Sequence, residues 1–164
     1  MDATTAMSYA FGPKDEQEIN TIKKACQVSS DLYNKYLKDQ IMDIIDSEKV
    51  LFQQNLVFLT VKLYCALQKV RHSKLSESTE LAMADKKYVS GYDTNYLDMC
   101  YPPIIQSGGS YALKFSAESD KNTLHFGAII CSLGAKYKHY CSNITRTLFV
   151  NPSDELKVKI NIIY

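Results

Sequence analysis

Two strand-like segments that follow each other near the carboxyl end constrain the fold most. Residues 124–150 read LHFGAIICSLGAKYKHYCSNITRTLFV, which is rich in β-branched and aromatic side chains. Two runs, 127–133 and 136–150, have the composition of strands, and Gly134-Ala135 separates them. A short link that contains glycine is typical of antiparallel neighbours. We therefore predict an antiparallel strand pair with its turn at Gly134-Ala135.

Helical patterns precede these strands. From about Pro13 to Met42, apolar side chains recur every three or four residues, and acidic residues occupy the first turn. The side chains predicted to form the buried face are Ile19, Ile22, Ala25, Cys26, Leu32, Tyr33, Tyr36 and Leu37. A second helix is predicted from Ser73 to Lys87, with an inward face of Leu75, Ala82 and Met83.

A short apolar strand is predicted at Ile104-Ile105, after Pro102-Pro103. Gly108-Gly109 then predicts a sharp turn, because glycine adopts backbone conformations that other residues avoid. Helices that precede a run of antiparallel strands indicate an α+β domain.

Composition excludes several classes of function. The chain has 164 residues and a formal net charge of +1, so its overall charge does not favour binding to nucleic acid. The five cysteines form neither an even set nor a C-x-x-C pair, which favours reduced and mostly buried thiols in an intracellular protein. They are Cys26, Cys65, Cys100, Cys131 and Cys141. The first residues do not read as a secretory signal.

One segment, Val50 to Lys69, is apolar on almost every side. Its densest part, Leu56 to Leu67, is too short to cross a membrane and contains Lys62. We expect no membrane partner, and a buried helix remains one interpretation of this segment.

Two motifs carry a resemblance to one protein family. They read CYPPIIQSGG at Cys100–Gly109 and YCSNITRTL at Tyr140–Leu148. With residues 10–49 and 70–157 around them, they resemble the large subunit of FACT, a eukaryotic histone-chaperone complex. The resemblance implies the first half of an aminopeptidase-like (pita-bread) amino-terminal domain, in which helices are followed by antiparallel strands. The second half of that domain and the later domains of the subunit lie outside this sequence.

The resemblance also implies partners and a location. Core histones are the expected ligands, and an HMG-box-type second FACT subunit is expected to bind through regions that this sequence lacks. The implied location is the nucleus and its chromosomes, and the implied role is nucleosome reorganisation in transcription, replication and repair. We expect no cofactor and no sequence-specific contact with nucleic acid.

Two departures from the family pattern divide the chain. In the family, a segment like Glu48-Lys49 continues directly into one like Val70-Arg71, so Val50–Lys69 reads as an insert. Valine codons begin with GT and a lysine codon can end in AG, which are the borders of an intron. We therefore predict a leader at 1–12, a partial aminopeptidase-like domain at 13–157 with a retained-intron insert at 50–69, and an aberrant tail at 158–164.

The resemblance also predicts lost metal ligands. Active pita-bread enzymes hold two metal ions with two aspartates that lie eleven residues apart on adjacent strands. Ser132 and Asn143 occupy those positions with the same spacing. Neutral oxygens do not offset the repulsion between two divalent cations, for which carboxylates are needed. We therefore predict no metal site and no catalytic residue.

Two residues remain as candidate binding residues in this resemblance. Lys114 stands where peptidases often carry a substrate-contacting histidine. Arg146 either forms a structural ion pair or helps a cleft to hold a peptide carboxylate or an acidic side chain.

Cys131 and Cys141 flank the two lost-ligand positions and are predicted to point away from the cleft, as buried structural thiols.

Three functions follow from these observations. The first is a non-catalytic module that binds histone segments or other peptides. The second is a metal-dependent aminopeptidase that acts on Xaa-Pro peptides, and the third is a truncated product with no function. Metal content and peptide hydrolysis distinguish the second function from the first.

Overall fold

The computed structural model describes residues 3–53, 70–89, 91–112, 114 and 116–163. Most of the predicted insert, residues 54–69, lies outside the described residues. The helices are α1 (Thr4–Phe11), α2 (Glu16–Leu32), a π-helical segment (Tyr33–Leu37), α3 (Lys38–Gln53), α4 (His72–Ala82) and α5 (Asp154–Ile163). A short 3₁₀ helix (Thr94–Tyr96) precedes the strands β1 (Leu97–Ser107), β2 (Gly127–Tyr137), β3 (Tyr140–Cys141) and β4 (Ile144–Val150).

Helix α2 begins at Glu16, three residues after Pro13. The Asp15 carboxylate accepts the Glu18 N–H at 2.7 Å, and the Glu18 carboxylate accepts the Asp15 N–H at 2.9 Å. This reciprocal pair satisfies two backbone donors that a helix start leaves without partners. The cap therefore sets the start of the helix at Glu16, with Pro13 in the preceding segment.

The helix continues through a π-helical turn into α3. In a regular α-helix, five residues rotate by about 500°, which would leave Leu37 far from the face of Leu32. The turn at Tyr33–Leu37 accommodates the extra residue. Leu32, Leu37, Ile41 and Ile45 are consequently all buried. One long helical path thus presents a single apolar side to the rest of the molecule.

The predicted helical face is partly wrong. Ala25, Leu32, Tyr33 and Leu37 are buried as predicted, and Ile22 and Tyr36 are half-buried. Ile19 and Cys26 are exposed instead. The side chains of α2 are buried only where the helix packs on the sheet. There the buried face includes Val28 and Ser29 in place of Ile19 and Cys26. In α4 the prediction of Leu75, Ala82 and Met83 as inward residues is confirmed.

The sheet is antiparallel, with β2 at its centre. Strand β1 pairs with one edge of β2, and β3 and β4 pair in succession with the other. Helices α2 and α4 pack on the sheet, so the predicted α+β class with helices before antiparallel strands is confirmed. Among the described helices, none has the length and hydropathy that a bilayer crossing requires.

The predicted turn at Gly134-Ala135 is wrong. Both residues lie inside β2, and the chain reverses at Lys138-His139, whose φ angles are +46° and +72°. Two consecutive positive φ angles are typical of the tight hairpin turn that matches strand twist. Gly134 serves another purpose, because a Cβ there would lie 2.3 Å from the backbone oxygen of Ser142.

Strand β1 is longer than the predicted Ile104-Ile105. It includes Pro102-Pro103, and its register against β2 shifts on both sides of Tyr101. These irregularities accommodate the prolines, which lack the N–H that a regular ladder requires. The predicted turn at Gly108-Gly109 is confirmed, with φ angles of +83° and +89°.

Candidate functional site

Four polar side chains form a hydrogen-bonded network on the face of the sheet opposite the buried core. The Tyr101 hydroxyl lies 2.9 Å from Ser132 Oγ and donates to Asn143 Oδ1 at 2.5 Å. The Thr145 hydroxyl donates to Ser132 Oγ at 2.9 Å. We call these residues, Tyr101, Ser132, Asn143 and Thr145, the tyrosine network. Each side chain in it is half-buried or exposed.

Strand register explains why these residues meet. Ser132 on β2 is opposite Thr145 on β4, so these two share one face. Asn143 lies just before β4, and its hydrogen bond from the Tyr101 hydroxyl places its side chain beside them. Tyr101 on β1 is opposite Gly134, which belongs to the same face of β2. The absence of a side chain at Gly134 leaves room for the tyrosine ring, whose Cε1 would lie 3.2 Å from a Cβ there.

A second set of hydrogen bonds holds the segment before Asn143 against helix α2. The Ser142 hydroxyl contacts Ser29 Oγ at 2.6 Å and donates to the Ala25 carbonyl at 2.8 Å. The Ser29 hydroxyl oxygen accepts the Ala135 N–H at 2.8 Å. The Tyr140 hydroxyl donates to the Glu18 carboxylate and lowers its pKa. These contacts tie α2, from its first turn to Ser29, to β3 and to the segment that presents Asn143.

The donor set of the tyrosine network is uncharged. Two hydroxyls from Ser132 and Thr145, one phenol and one amide supply only neutral oxygens. Two divalent cations held close together require anionic ligands. Within the described ranges there is also no cluster of three or more His, Cys, Asp or Glu side chains that could hold a metal ion. The residues present therefore do not fit the dinuclear metal centre of a peptidase.

Tyr101 is well suited to remain a neutral hydrogen-bond donor. Burial raises the pKa of its phenol, while the hydrogen bond with Ser132 acts in the opposite direction. A phenol that stays protonated keeps its donor, so the link from Tyr101 to Asn143 persists at ordinary pH. The arrangement can bind and orient polar groups through its exposed amide and hydroxyls.

The two candidate binding residues form no hydrogen bond with the side chains of this network. Arg146 is opposite Cys131 in the register, on the other face from Ser132, and it donates to the Thr145 carbonyl at 2.8 Å. Lys114 is exposed in the loop between β1 and β2. The hydrogen bonds and ion pairs of the described residues connect neither of them to Ser132 or Asn143.

The cysteines differ from the prediction of mostly buried thiols. Cys131 is buried, and burial raises its pKa to about 12. Cys26 and Cys141 are exposed, and Cys100 is half-buried. Cys141 also fails to point away from the cleft, because it is opposite Lys136 on the network face and contacts Cys100. The strand breaks at Ser142-Asn143, so simple alternation along it does not apply. Cys65 lies outside the described residues.

A cluster that sequence reasoning missed joins α4 to the end of β1, with His72 and Ser107 buried and Asp120 exposed. His72 Nδ1 lies 2.6 Å from Asp120 Oδ1, and His72 Nε2 lies 2.7 Å from Ser107 Oγ. Ser107 Oγ also accepts the His125 N–H at 2.8 Å. The chain of hydrogen bonds from Asp120 through His72 to Ser107 resembles a catalytic triad. However, His72 is 1% exposed and Ser107 is 7% exposed, so a substrate has no access to them. The cluster is a structural clamp. No local motif could have revealed it, since its members are 35 and 48 residues apart.

Comparisons with known proteins agree on the fold and on the family. The profile of Metallopeptidase family M24 matches residues 20–164. Among solved structures, the N-terminal domain of FACT complex subunit SPT16 from Cicer arietinum is similar, with a TM-score of 0.72 and 32% identity. That similarity covers 87% of this chain and 30% of the chickpea chain. An X-Pro aminopeptidase from Thermotoga maritima shares the fold, with a TM-score of 0.57 and 24% identity over 92% of this chain and 33% of that chain.

Curated proteins of similar sequence identify the same family as the solved structures do. FACT complex subunit SPT16 from Yarrowia lipolytica is 35% identical over 161 residues, which cover 93% of this chain and 14% of the relative. The chain therefore spans about a seventh of the length of that relative. The predicted resemblance to the FACT large subunit and the predicted pita-bread-like fold are both confirmed.

Proposed function

The chain belongs to Metallopeptidase family M24, and we propose that it is a non-catalytic member that binds peptide segments of histones. The curated relatives are subunits of the FACT complex, and the solved neighbours are N-terminal domains of such subunits. By this proposal the chain acts as an accessory binding module of a histone chaperone, assisting nucleosome reorganisation in transcription, replication and repair.

The tyrosine network carries the proposal. Ser132 and Asn143 stand at the positions that the family resemblance assigns to metal-binding aspartates, and the Tyr101 hydroxyl bridges them. In such enzymes the usual nucleophile is a water molecule that the metal ions activate. Neutral ligands do not hold two divalent metal ions, so this water would not be activated. What the face retains is an exposed amide and an exposed hydroxyl, at Asn143 and Thr145, which can pair with a peptide backbone.

The remaining elements of the function are extensions of this proposal. Core histones are the proposed ligands, and the nucleus and its chromosomes are the proposed location. An HMG-box-type second subunit would bind through regions outside this sequence. Lys114 and Arg146 remain proposed contacts to flanking parts of a peptide, because both side chains are exposed.

We propose the same division of the chain as its sequence suggests. It consists of a leader at 1–12, a partial aminopeptidase-like domain at 13–157 and an aberrant tail at 158–164. Residues 50–69 would be a retained intron, although helix α3 continues as far as Gln53. Sequencing transcripts across codons 45–75 tests this, and genomic DNA without GT and AG at the two borders of the insert would contradict it.

Binding of labelled histone-tail peptides, followed by fluorescence anisotropy at moderate salt, tests the function. We expect the chain to bind at least one tail, and Asn143→Ala to weaken that binding about three- to tenfold, the range for one lost hydrogen bond. Asn95→Ala is the matched control, since Asn95 is an exposed amide in the 3₁₀ helix, outside the tyrosine network. It should leave the affinity unchanged.

Two outcomes would contradict the proposal. Absence of binding to every core-histone tail would leave only an architectural role for this domain. Turnover of Xaa-Pro peptides that depends on added metal would restore the enzymatic alternative.

A further inference from the structure

A second polar surface lies on the opposite side of the sheet from the tyrosine network. Asn20, Lys23, Lys24 and Gln27 share one face of helix α2, at the spacing of three and four residues that brings helical side chains together. Together with Tyr92 they line a shallow, open depression of about 430 Å³ on the surface.

Aromatic rings extend this depression toward the hairpin turn. The rings of Tyr92 and Tyr137 are 5.9 Å apart, and Lys24 Nζ lies 5.9 Å from the centre of the Tyr137 ring. Lys138 Nζ lies 5.1 Å from the centre of the Tyr96 ring. The Lys138 N–H donates to the Tyr96 carbonyl, which joins the turn to the 3₁₀ helix. We call the surface formed by Lys23, Lys24, Lys138, Tyr92 and Tyr96 the lysine-tyrosine cleft.

The cations of this cleft lack anionic partners within the described part of the chain. Ion pairs there involve other lysines, such as Lys35, Lys74 and Lys136, but not Lys23, Lys24 or Lys138. Asp93 is the acidic residue next to Tyr92, and its carboxylate accepts the Asn95 N–H at 3.0 Å. Three cations beside a polar cleft therefore attract a negatively charged ligand.

We propose that the lysine-tyrosine cleft binds an acidic peptide segment. Carboxylates of such a segment would pair with Lys23, Lys24 and Lys138, while the Asn20 amide lies beside its backbone. The Gln27 amide nitrogen already donates to the Asp31 carboxylate at 2.8 Å, so Gln27 only borders the site. The occupied length of α2 from Asn20 to Gln27 is two helical turns, about 11 Å, which matches three extended residues. An acidic residue at every second position of the ligand would place its carboxylates on one side.

A nucleic acid is also negatively charged, but it fits the lysine-tyrosine cleft less well than an acidic peptide does. Proteins that bind single strands stack bases on open aromatic faces. Here Tyr137 is buried, and the Tyr96 ring already has the Lys138 ammonium over it. Arginine, whose planar fork suits phosphate, is also absent from the residues that form the cleft.

This inference goes beyond the proposed function. Side chains of β2 alternate between faces, so Tyr137 lies on the helix-covered side and Ser132 on the other. The two ligands also differ in sign, because histone tails are basic and this cleft selects acidic segments. Failure of one interaction leaves the other intact.

Fluorescence anisotropy with a labelled decapeptide of alternating glutamate and glycine tests the inference on the full chain. We expect saturable binding that weakens as salt is added. The double variant Lys23→Glu/Lys24→Glu should lose about tenfold or more in affinity, since it replaces attraction with like-charge repulsion. Lys23→Gln/Lys24→Gln, which only removes charge, should show a smaller loss.

The matched control is Lys74→Glu/Lys86→Glu, which makes the same charge change at two exposed lysines elsewhere. It should retain the wild-type affinity. An equal loss in this control would show attraction to overall charge and overturn the inference. Absence of binding to the glutamate peptide would also overturn it, as would stronger binding of a ten-nucleotide thymidine strand that depends on Lys23 and Lys24.

Discussion

At the scale of single residues, the candidate site depends on the absence of a side chain at Gly134 as much as on its polar side chains. Gly134 lets the Ser142 backbone and the Tyr101 ring approach the centre of β2. Sequence alone suggested a turn at this glycine, because a glycine between two strand-like runs usually marks one. The actual requirement is close approach of β2 to the Tyr101 ring and to the Ser142 backbone, which a single sequence does not encode locally.

Gly134→Ala should therefore be strongly destabilising. The added Cβ would lie 2.3 Å from the Ser142 oxygen, and a backbone atom cannot move away without breaking the contacts of Ser142 with α2. We expect a loss of about 3 kcal/mol or more in the free energy of unfolding, at the upper end for overpacking. Urea denaturation measures it.

Gly91→Ala is the matched control. Gly91 has a φ of +77° with no heavy atom within 4 Å of a Cβ, so alanine there suffers only backbone strain. Its cost should be about 1–2 kcal/mol. Equal losses in the two variants would show that the close approach at Gly134 contributes nothing.

At the scale of elements, most helices and strands could be predicted from periodicity. The irregular turns within them and the contacts between them could not. The 3,4 spacing indicated the helices α2 and α4, and the β-branched runs indicated β2 and β4. Sequence spacing did not reveal the π-helical turn at Tyr33–Leu37 or the clamp of His72, Ser107 and Asp120. Both depend on which elements meet in three dimensions.

The clamp predicts a dependence of stability on pH. Burial opposes ionisation of Asp120, but hydrogen bonds from His72 and Asn122 outweigh it and lower its pKa below the ordinary 3.8. Because the folded-state pKa is the lower one, ionised Asp120 stabilises the fold above that range. The contribution is lost as the pH falls through the folded-state pKa.

Asp120→Asn should accordingly reduce the loss of stability on acidification below pH 4. Thermal melts of the wild type and the variant between pH 3 and pH 6 measure the difference. Asp85→Asn is a suitable control at an exposed carboxylate outside the clamp. A wild-type profile that coincides with that of Asp120→Asn would refute a role for the clamp in acid stability.

At the scale of the whole molecule, the chain combines a peptidase fold with an uncharged site. The family and the fold could be predicted from the two motifs CYPPIIQSGG and YCSNITRTL. That Ser132 and Asn143 stand in place of anionic metal ligands stays a prediction, which rests on the same resemblance. The bridging role of Tyr101 could not be predicted, since it depends on the shifted register of β1 around its prolines.

Metal binding tests the central claim most directly. Isothermal titration of Mn²⁺ or Co²⁺ into the metal-free chain should show no stoichiometric binding, because the tyrosine network presents only neutral oxygens. Two equivalents of bound metal, lost on Ser132→Ala and Asn143→Ala, would contradict the account.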